Sequence, residues 1–309
     1  MSGFALKKSF LASVVLAAAI APAASAQQSA IPDFSGAWGR NAFNFEPTAS
    51  GPQPLRNLRR VGEDASRPIL IGDPVPLVGD YTSPILQPDA AAVVKQKGEV
   101  SASGHDFPDP SNQCGAFSPP YLFTIQLGMQ LLQMKDEVVI LYNQDDQTRH
   151  IRLNASHPRD LTPTLMGDSI GHYEGDSLVV DTVGVKLQYY TVADRFGTPQ
   201  SEAMHVVERY RLVDARDASE ALDRQEKIAG CVCGGPAGTG AATIDASYAQ
   251  GLRVEVRIED PKIFTTPWTG NVTYMHVRRN WGESVCAENN TDVLHQGFEH
   301  APTAEHPDF

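Results

Sequence analysis

Basic residues, tryptophan and cysteine are scarce in this chain: 25 Lys and Arg stand against 37 Asp and Glu, with 3 Trp and 4 Cys in 309 residues. The acidic excess disfavours nucleic acid and anionic membranes as partners. It does not single out a reaction, because acidic surfaces also serve solubility. The GxSxG elbow, the P-loop, HExxH, the EF-hand loop and the dinucleotide fingerprint are all missing. Their absence argues against nucleotide chemistry, and no cofactor and no metal are expected. Beyond the N-terminus no apolar stretch reaches the about 20 residues of a membrane span without charges, so no membrane insertion is expected either.

What is present begins with an export pattern. Lys7 and Lys8 precede an apolar run from Phe10 to Ile20, and Ala24-Ser25-Ala26 supplies small residues for cleavage. Residues 1–26 read as a signal peptide and Gln27 as the mature start, which implies a periplasmic or secreted protein. The segment carries two lysines and no acid, so the formal charge moves from −12 to −14 on cleavage. The remaining 283 residues can bury a large core without covalent staples.

In an oxidising compartment the four cysteines matter. Cys114 in "SNQCGAFSPP" and Cys286 in "ESVCAENN" each lie in polar, turn-rich surroundings, and a bridge between them is the favoured pairing. Cys231 and Cys233 are one residue apart in "GCVCGGPAGTG", a spacing that strains a disulfide. Three connectivities remain open. A glycine-rich insertion loop is preferred to a redox-active CxC, because redox pairs sit at helix N-termini and no helix is expected there.

The texture changes along the chain. Residues 27–130 are rich in Pro, Gly, Ser and Asn and form an irregular segment packed on the core, with one helical stretch from Asp89 to Lys97. Residues 131–290 form the β core and 291–309 a polar tail. "LLQMKDEVVILY" and "TRHIRLN" read as two strands around a polar turn, and "DSIGHYEG" and "DSLVVDTVGV" as a hairpin turning at Glu174-Gly175-Asp176. In "GLRVEVRIEDP" Leu252, Val254, Val256 and Ile258 alternate with charged residues, the mark of a half-buried antiparallel strand. "SEAMHVVERYRLV" and "NVTYMHVRRNW" add two more, and no amphipathic helix is expected in the C-terminal half. The fold class is all-β, a predominantly antiparallel sandwich or barrel with a long irregular Pro-rich N-terminal segment.

"IPDFSGAWGR", "CGAFSPP", "GDSIGHYEGDSLVVDTVGV", "HVVERYRL" and "IEDPKIFTTPWT" together resemble a large family of exported bacterial proteins. Its members carry a D-[FL]-[ST]-G-x-W start, a central G-H-S-x-G-x-W-E-G-D-T-L-V-V-D-T hairpin and a D-P-x-x-[FY]-x-x-P-W turn. The resemblance covers most of residues 32–290. It implies export and a β-rich domain, and no catalytic residue. The chain departs from the pattern at Tyr173, where Trp is common, and at the CxC insertion.

The candidate site residues are His172, Glu174, His205, Glu208 and Arg209. His172 and Glu174 are two apart on one strand face, where an imidazole and a carboxylate can share a proton. Asp181 reads as the residue closing a turn. His205, Val207 and Arg209 share one face of their strand, and Glu208 lies on the other with Met204, Val206 and Tyr210. A carboxylate among apolar neighbours is either a general acid or base with a raised pKa, or the partner of an arginine such as Arg152 or Arg278. "TRHIRLN" places His150 and Arg152 opposite Arg149 and Ile151. His276 shares a face with Val272, Tyr274 and Arg278. Two functions fit. One is a cofactor-independent lyase, isomerase or hydrolase using the His and Glu residues on a small-molecule substrate. The other is a lipocalin-like binder of a hydrophobic or aromatic small molecule, using Tyr142, Tyr189, Tyr190, Tyr274 and Trp281.

Overall fold

Alternating apolar residues need a wall to face, and here the strands supply it by closing on one another. The computed structural model describes residues 31–40, 43, 45–58, 76–125, 128–229, 248–277 and 285–286, with side chains of the last helix described to Gln225. The expected signal peptide, Cys231, Cys233, Arg278, Trp281 and the C-terminal tail lie outside the described residues.

Ten strands are described: β1 (Gly36–Gly39), β2 (Glu46–Pro47), β3 (Met129–Gln133), β4 (Glu137–Tyr142), β5 (Thr148–Leu153), β6 (Asp168–Glu174), β7 (Ser177–Val183), β8 (His205–Asp214), β9 (Gln250–Glu259) and β10 (Trp268–His276). They pair in the order β1-β3-β4-β5-β6-β7-β8-β9-β10, and β10 pairs back to β1, so nine strands make a closed barrel. β2 adds to β10 beside the closure. Closure leaves no unpaired edge in the nine-stranded ring. Trp38 faces Met129 on one side and His276 on the other, so the Pro-rich N-terminal segment contributes the strand that shuts the ring.

All neighbours are antiparallel except β5 and β6, which run parallel. "LLQMKDEVVILY" is two strands, β3 and β4, because Met134-Lys135-Asp136 breaks it with a tight turn. The hairpin of β6 and β7 turns at Gly175, whose φ of +60° is the left-handed conformation that glycine adopts without strain. Leu252, Val254, Val256 and Ile258 of β9 are all fully buried, as their spacing required.

Two helices are described. α1 (Pro88–Ala102) starts on a proline at its first turn and buries Ala90, Val94 and Gly98, which are four apart. It contains the expected Asp89–Lys97 stretch. α2 (Ala215–Ala229) corrects the expectation of no helix in the C-terminal half. Its buried stripe, Ala218, Ala221 and Leu222, recurs at helical spacing among charged residues, so the segment carries a marked amphipathic pattern. Ala218 can lie against the sheet because residue 251 is glycine, where a Cβ would come within 2.3 Å of it.

By register Tyr142, Thr148, Asp168, Val183, His205, Glu259 and Trp268 all stand at one end of the barrel. That end is covered by the chain between Pro84 and Ile125 and between Val185 and Met204. Leu86 bridges to Phe264 in the β9–β10 loop, Phe117 N donates to Gln147 Oε1 in the β4–β5 turn, and Ser201 donates to Asp260. Phe117, Tyr121, Phe123, Val192, Phe196 and Met204 join the barrel interior in one hydrophobic core. The expected disulfide joins Cys114 in this cap to Cys286, whose N–H donates to Asp145 in the β4–β5 turn.

Candidate functional site beneath the cap

Strand alternation that buries Val206 and Tyr210 of β8 also buries Glu208, and alternation that buries Ile151 of β5 buries Arg149. Inside the closed ring these two meet. Arg149 Nη1 donates to Glu208 Oε2 at 2.9 Å and Nη2 to Oε1 at 2.6 Å, with 1% and 0% of the side chains exposed. Arg149 Nε donates to Ser169 Oγ at 3.0 Å, Nη2 also to Thr182 Oγ1 at 2.6 Å, and Tyr210 Oη to Glu208 Oε2 at 2.7 Å. Four consecutive strands, β5 to β8, thus supply one saturated polar cluster, the condition under which a buried ion pair is tolerable. Burial works against the charge on Arg149, but Glu208 with Tyr142 and Tyr210 outweighs it and holds the guanidinium pKa well above the ordinary arginine value.

One neighbour is not saturated. Tyr142, the last residue of β4, is buried, and its hydroxyl has no hydrogen-bond partner among the described residues. Burial pushes its pKa well above the ordinary tyrosine value; Arg149 nearby opposes that rise, though not within hydrogen-bond geometry. Tyr274 of β10 is also raised by burial, opposed by Arg40, whose guanidinium lies 5.7 Å from the ring. Burial in turn lowers the Arg40 pKa, against the pull of Tyr274. Arg40 donates to Phe123 O in the cap and to Gln225 Oε1 of α2 at 2.8 Å.

The five residues singled out in the sequence are not brought together. Glu208 faces inward. His172, Glu174 and Arg209 meet on the outer wall, where Glu174 accepts from His172 at 2.8 Å and from Arg209 at 2.7 Å, with His172 and Glu174 exposed and Arg209 half-buried. Those two hydrogen bonds lower the Glu174 pKa. His205 stands apart, bonding Asp181 Oδ1 at 3.0 Å. His276 stacks on Tyr248 with ring centroids 3.7 Å apart and meets Trp38 edge-on.

Glu208 does have an arginine partner, but it is Arg149 and not Arg152. Arg152 faces outward to Asp168, at 2.8 Å to each oxygen. The parity of "TRHIRLN" carried that signal, since Arg149 shares its face with the apolar Ile151. Asp181 does not close a turn: it lies within β7 and accepts from His157 as well as His205. Burial opposes its ionisation, yet the hydrogen bonds from His205 and His157 outweigh burial and lower its pKa. His157 itself went unnoticed because it lies between strands, where no periodicity points to it.

Among the described residues no three His, Cys, Asp or Glu side chains are disposed to hold a metal ion, and no helix is long and apolar enough to cross a membrane. A groove of about 290 Å³ beside α1, lined by Val78, Tyr81, Lys95 and Glu99 among others, lies outside the barrel and contains none of the site residues above. Compared with protein-family models, curated proteins and solved structures, the chain finds no match.

Proposed function

We propose that this is an exported small-molecule-binding barrel whose ligand sits under the cap, against Tyr142. The observation that carries the reading is the buried Tyr142 hydroxyl, without a partner among the described residues, beside a cluster in which the other ionic and hydroxyl groups are engaged. An unpaired buried hydroxyl costs about 1–3 kcal/mol, so the position is favourable only for something that fills it. Barrel mouths are common ligand sites, built from apolar walls with a few placed polar groups. The side chains that barrel interior and cap share in one core are aromatic and aliphatic, so the ligand class is a small hydrophobic or aromatic molecule with one oxygen able to bond the phenol. Export rests on the Lys7-Lys8, Phe10–Ile20 and Ala24–Ala26 pattern. Catalysis by Glu208 finds no support in the geometry, because both of its oxygens are occupied and it is closed to water.

The test is extraction and mass spectrometry of whatever co-purifies with the mature protein, followed by titration of the identified compound into wild type and Tyr142→Phe. Binding weakened about tenfold with an undiminished melting temperature is expected, the loss matching a hydrogen bond of about 1.4 kcal/mol. Equal affinity in the two proteins, or no compound bound by either, overturns the reading.

A further inference from the structure

Parallel neighbours force a long return connection. Leu153 ends β5 at one end of the barrel and Asp168 begins β6 at the other, so residues 154–167 run back along the outer wall. Such a crossover commonly buries an apolar helix face. This strap has no helix, and none of its residues is buried. Beneath it the β5–β6 seam pairs at three positions, Ile151 with Ser169, Arg152 with Ile170 and Leu153 with Gly171. β8 and β9, by contrast, pair at ten.

The strap is tied by backbone bonds near its ends, Asn154 N to Gly171 O and Thr164 to Gly184 and Lys186, and by Leu161 packing over Gly184. Between these ties, its own side-chain anchor is His157. Nδ1 of that ring lies 2.6 Å from Asp168 Oδ2 on β6, and Nε2 lies 3.1 Å from Asp181 Oδ1 on β7. Carboxylates only accept, so both bonds exist together only when both ring nitrogens carry hydrogen. A neutral ring has one N–H and turns a lone pair against the other carboxylate.

We infer that residues 154–167 are a proton-operated latch over the β5–β6 seam: protonated His157 pins the strap to β6 and β7 at once, and loss of the proton frees it from one of them. The charges facing His157 fit that role. Arg152 from β5 holds both oxygens of Asp168, so this carboxylate stays in place to receive the ring. His205 from β8 shares Asp181, and Glu259 with its Arg257 partner on β9 stands opposite His205 in register. The strap's own Arg159 and Asp160 are exposed. The inner side of the same seam carries Arg149 and Ser169.

Amide hydrogen exchange of the full mature protein, corrected for intrinsic rates and read at about pH 5.5 and 8.5 on either side of the imidazole range, tests the latch without any ligand. Protection of the hydrogen-bonded strap amides, Asn154, Thr164 and Gly167, and of the seam amides is expected to fall about tenfold from the lower pH to the higher, while β8–β9 amides hold. His157→Gln should leave the strap poorly protected at both pH values. Asp181→Asn should keep it protected at both, because a carboxamide N–H can donate to Nε2 of a neutral ring. Should His157→Gln fail to fold, Asp181→Asn still decides. Equal strap protection in wild type at the two pH values, an Asp181→Asn variant with the wild-type pH response, or protection that follows added zinc and not pH overturns the inference.

Discussion

From β5 an arginine meets both oxygens of a carboxylate twice, Arg149 through two nitrogens with Glu208 of β8 on the inner wall and Arg152 through Nη2 alone with Asp168 of β6 on the outer. The residue types and bond lengths are nearly the same, and the surroundings are opposite. The inner pair is 1% and 0% exposed, the outer 44% and 20%. Water solvates the outer charges whether or not they meet, so their pairing adds little. The inner charges have lost that solvation and depend on each other and on Ser169, Thr182 and Tyr210. What a salt bridge does for a fold is thus set by the wall it stands on.

The comparison breaks most sharply in single substitutions. Arg149→Met leaves Glu208 buried without its counter-ion and should cost about 3–5 kcal/mol in urea unfolding, whereas Arg152→Met on the outer wall should cost no more than about 1 kcal/mol. Equal losses would show that the two walls do not differ as described. Replacing both inner partners, Arg149→Met with Glu208→Leu, should recover most of the single-variant loss, because the desolvated charge is gone along with its partner. A double variant as unstable as the single one would mean that Ser169, Thr182 and Tyr210 need the ions to pack.

The two interior phenols sharpen the contrast further. Tyr210→Phe removes a donor to a buried carboxylate and should cost about 1.5–3 kcal/mol. Tyr142→Phe removes a hydroxyl that bonds none of the described residues and should leave the thermal midpoint of the ligand-free protein unchanged or raise it by up to about 1 kcal/mol equivalent. The smallest effect belongs to the outer wall in acid. The Asp181 pKa is lower in the folded chain than in the unfolded one, so its stabilisation is present above the unfolded carboxyl value near ~4 and is lost as pH falls through the lower folded value. Denaturation measured from about pH 6 down to 3 should therefore fall less steeply in Asp181→Asn than in wild type. A parallel fall in both would remove Asp181 from the acid response.

Much of the barrel was legible because it rests on period-two patterns. β9 showed its inner face at Leu252, Val254, Val256 and Ile258, the Gly175 turn announced the β6–β7 hairpin, and parity in "HVVERYRL" put Glu208 inside. Cys114 and Cys286 were readable from their turn-rich settings. α2 was readable as well: Ala218, Ala221 and Leu222 recur at helical spacing among charged residues, a pattern that the expectation of no C-terminal helix did not use. The pairing of Glu208 with Arg149 was half legible: parity faced both residues toward the core, but no local rule brings β5 within reach of β8 inside the barrel. His157 was illegible, since an irregular strap has no period to read.

The sequence by itself determined which side chains face the core and which face water, because strand alternation is a local property of the backbone. Tertiary structure alone decided which of those faces meet. Closing β10 onto β1 turned one sheet face into an interior, and that placed Arg149 and Glu208 out of reach of water. Running β5 and β6 parallel sent a strap over the outer wall, and that set His157 between Asp168 and Asp181. Both outcomes join residues far apart in the chain, and a contact of that kind is fixed by topology and register rather than by the preference of any residue for its neighbours.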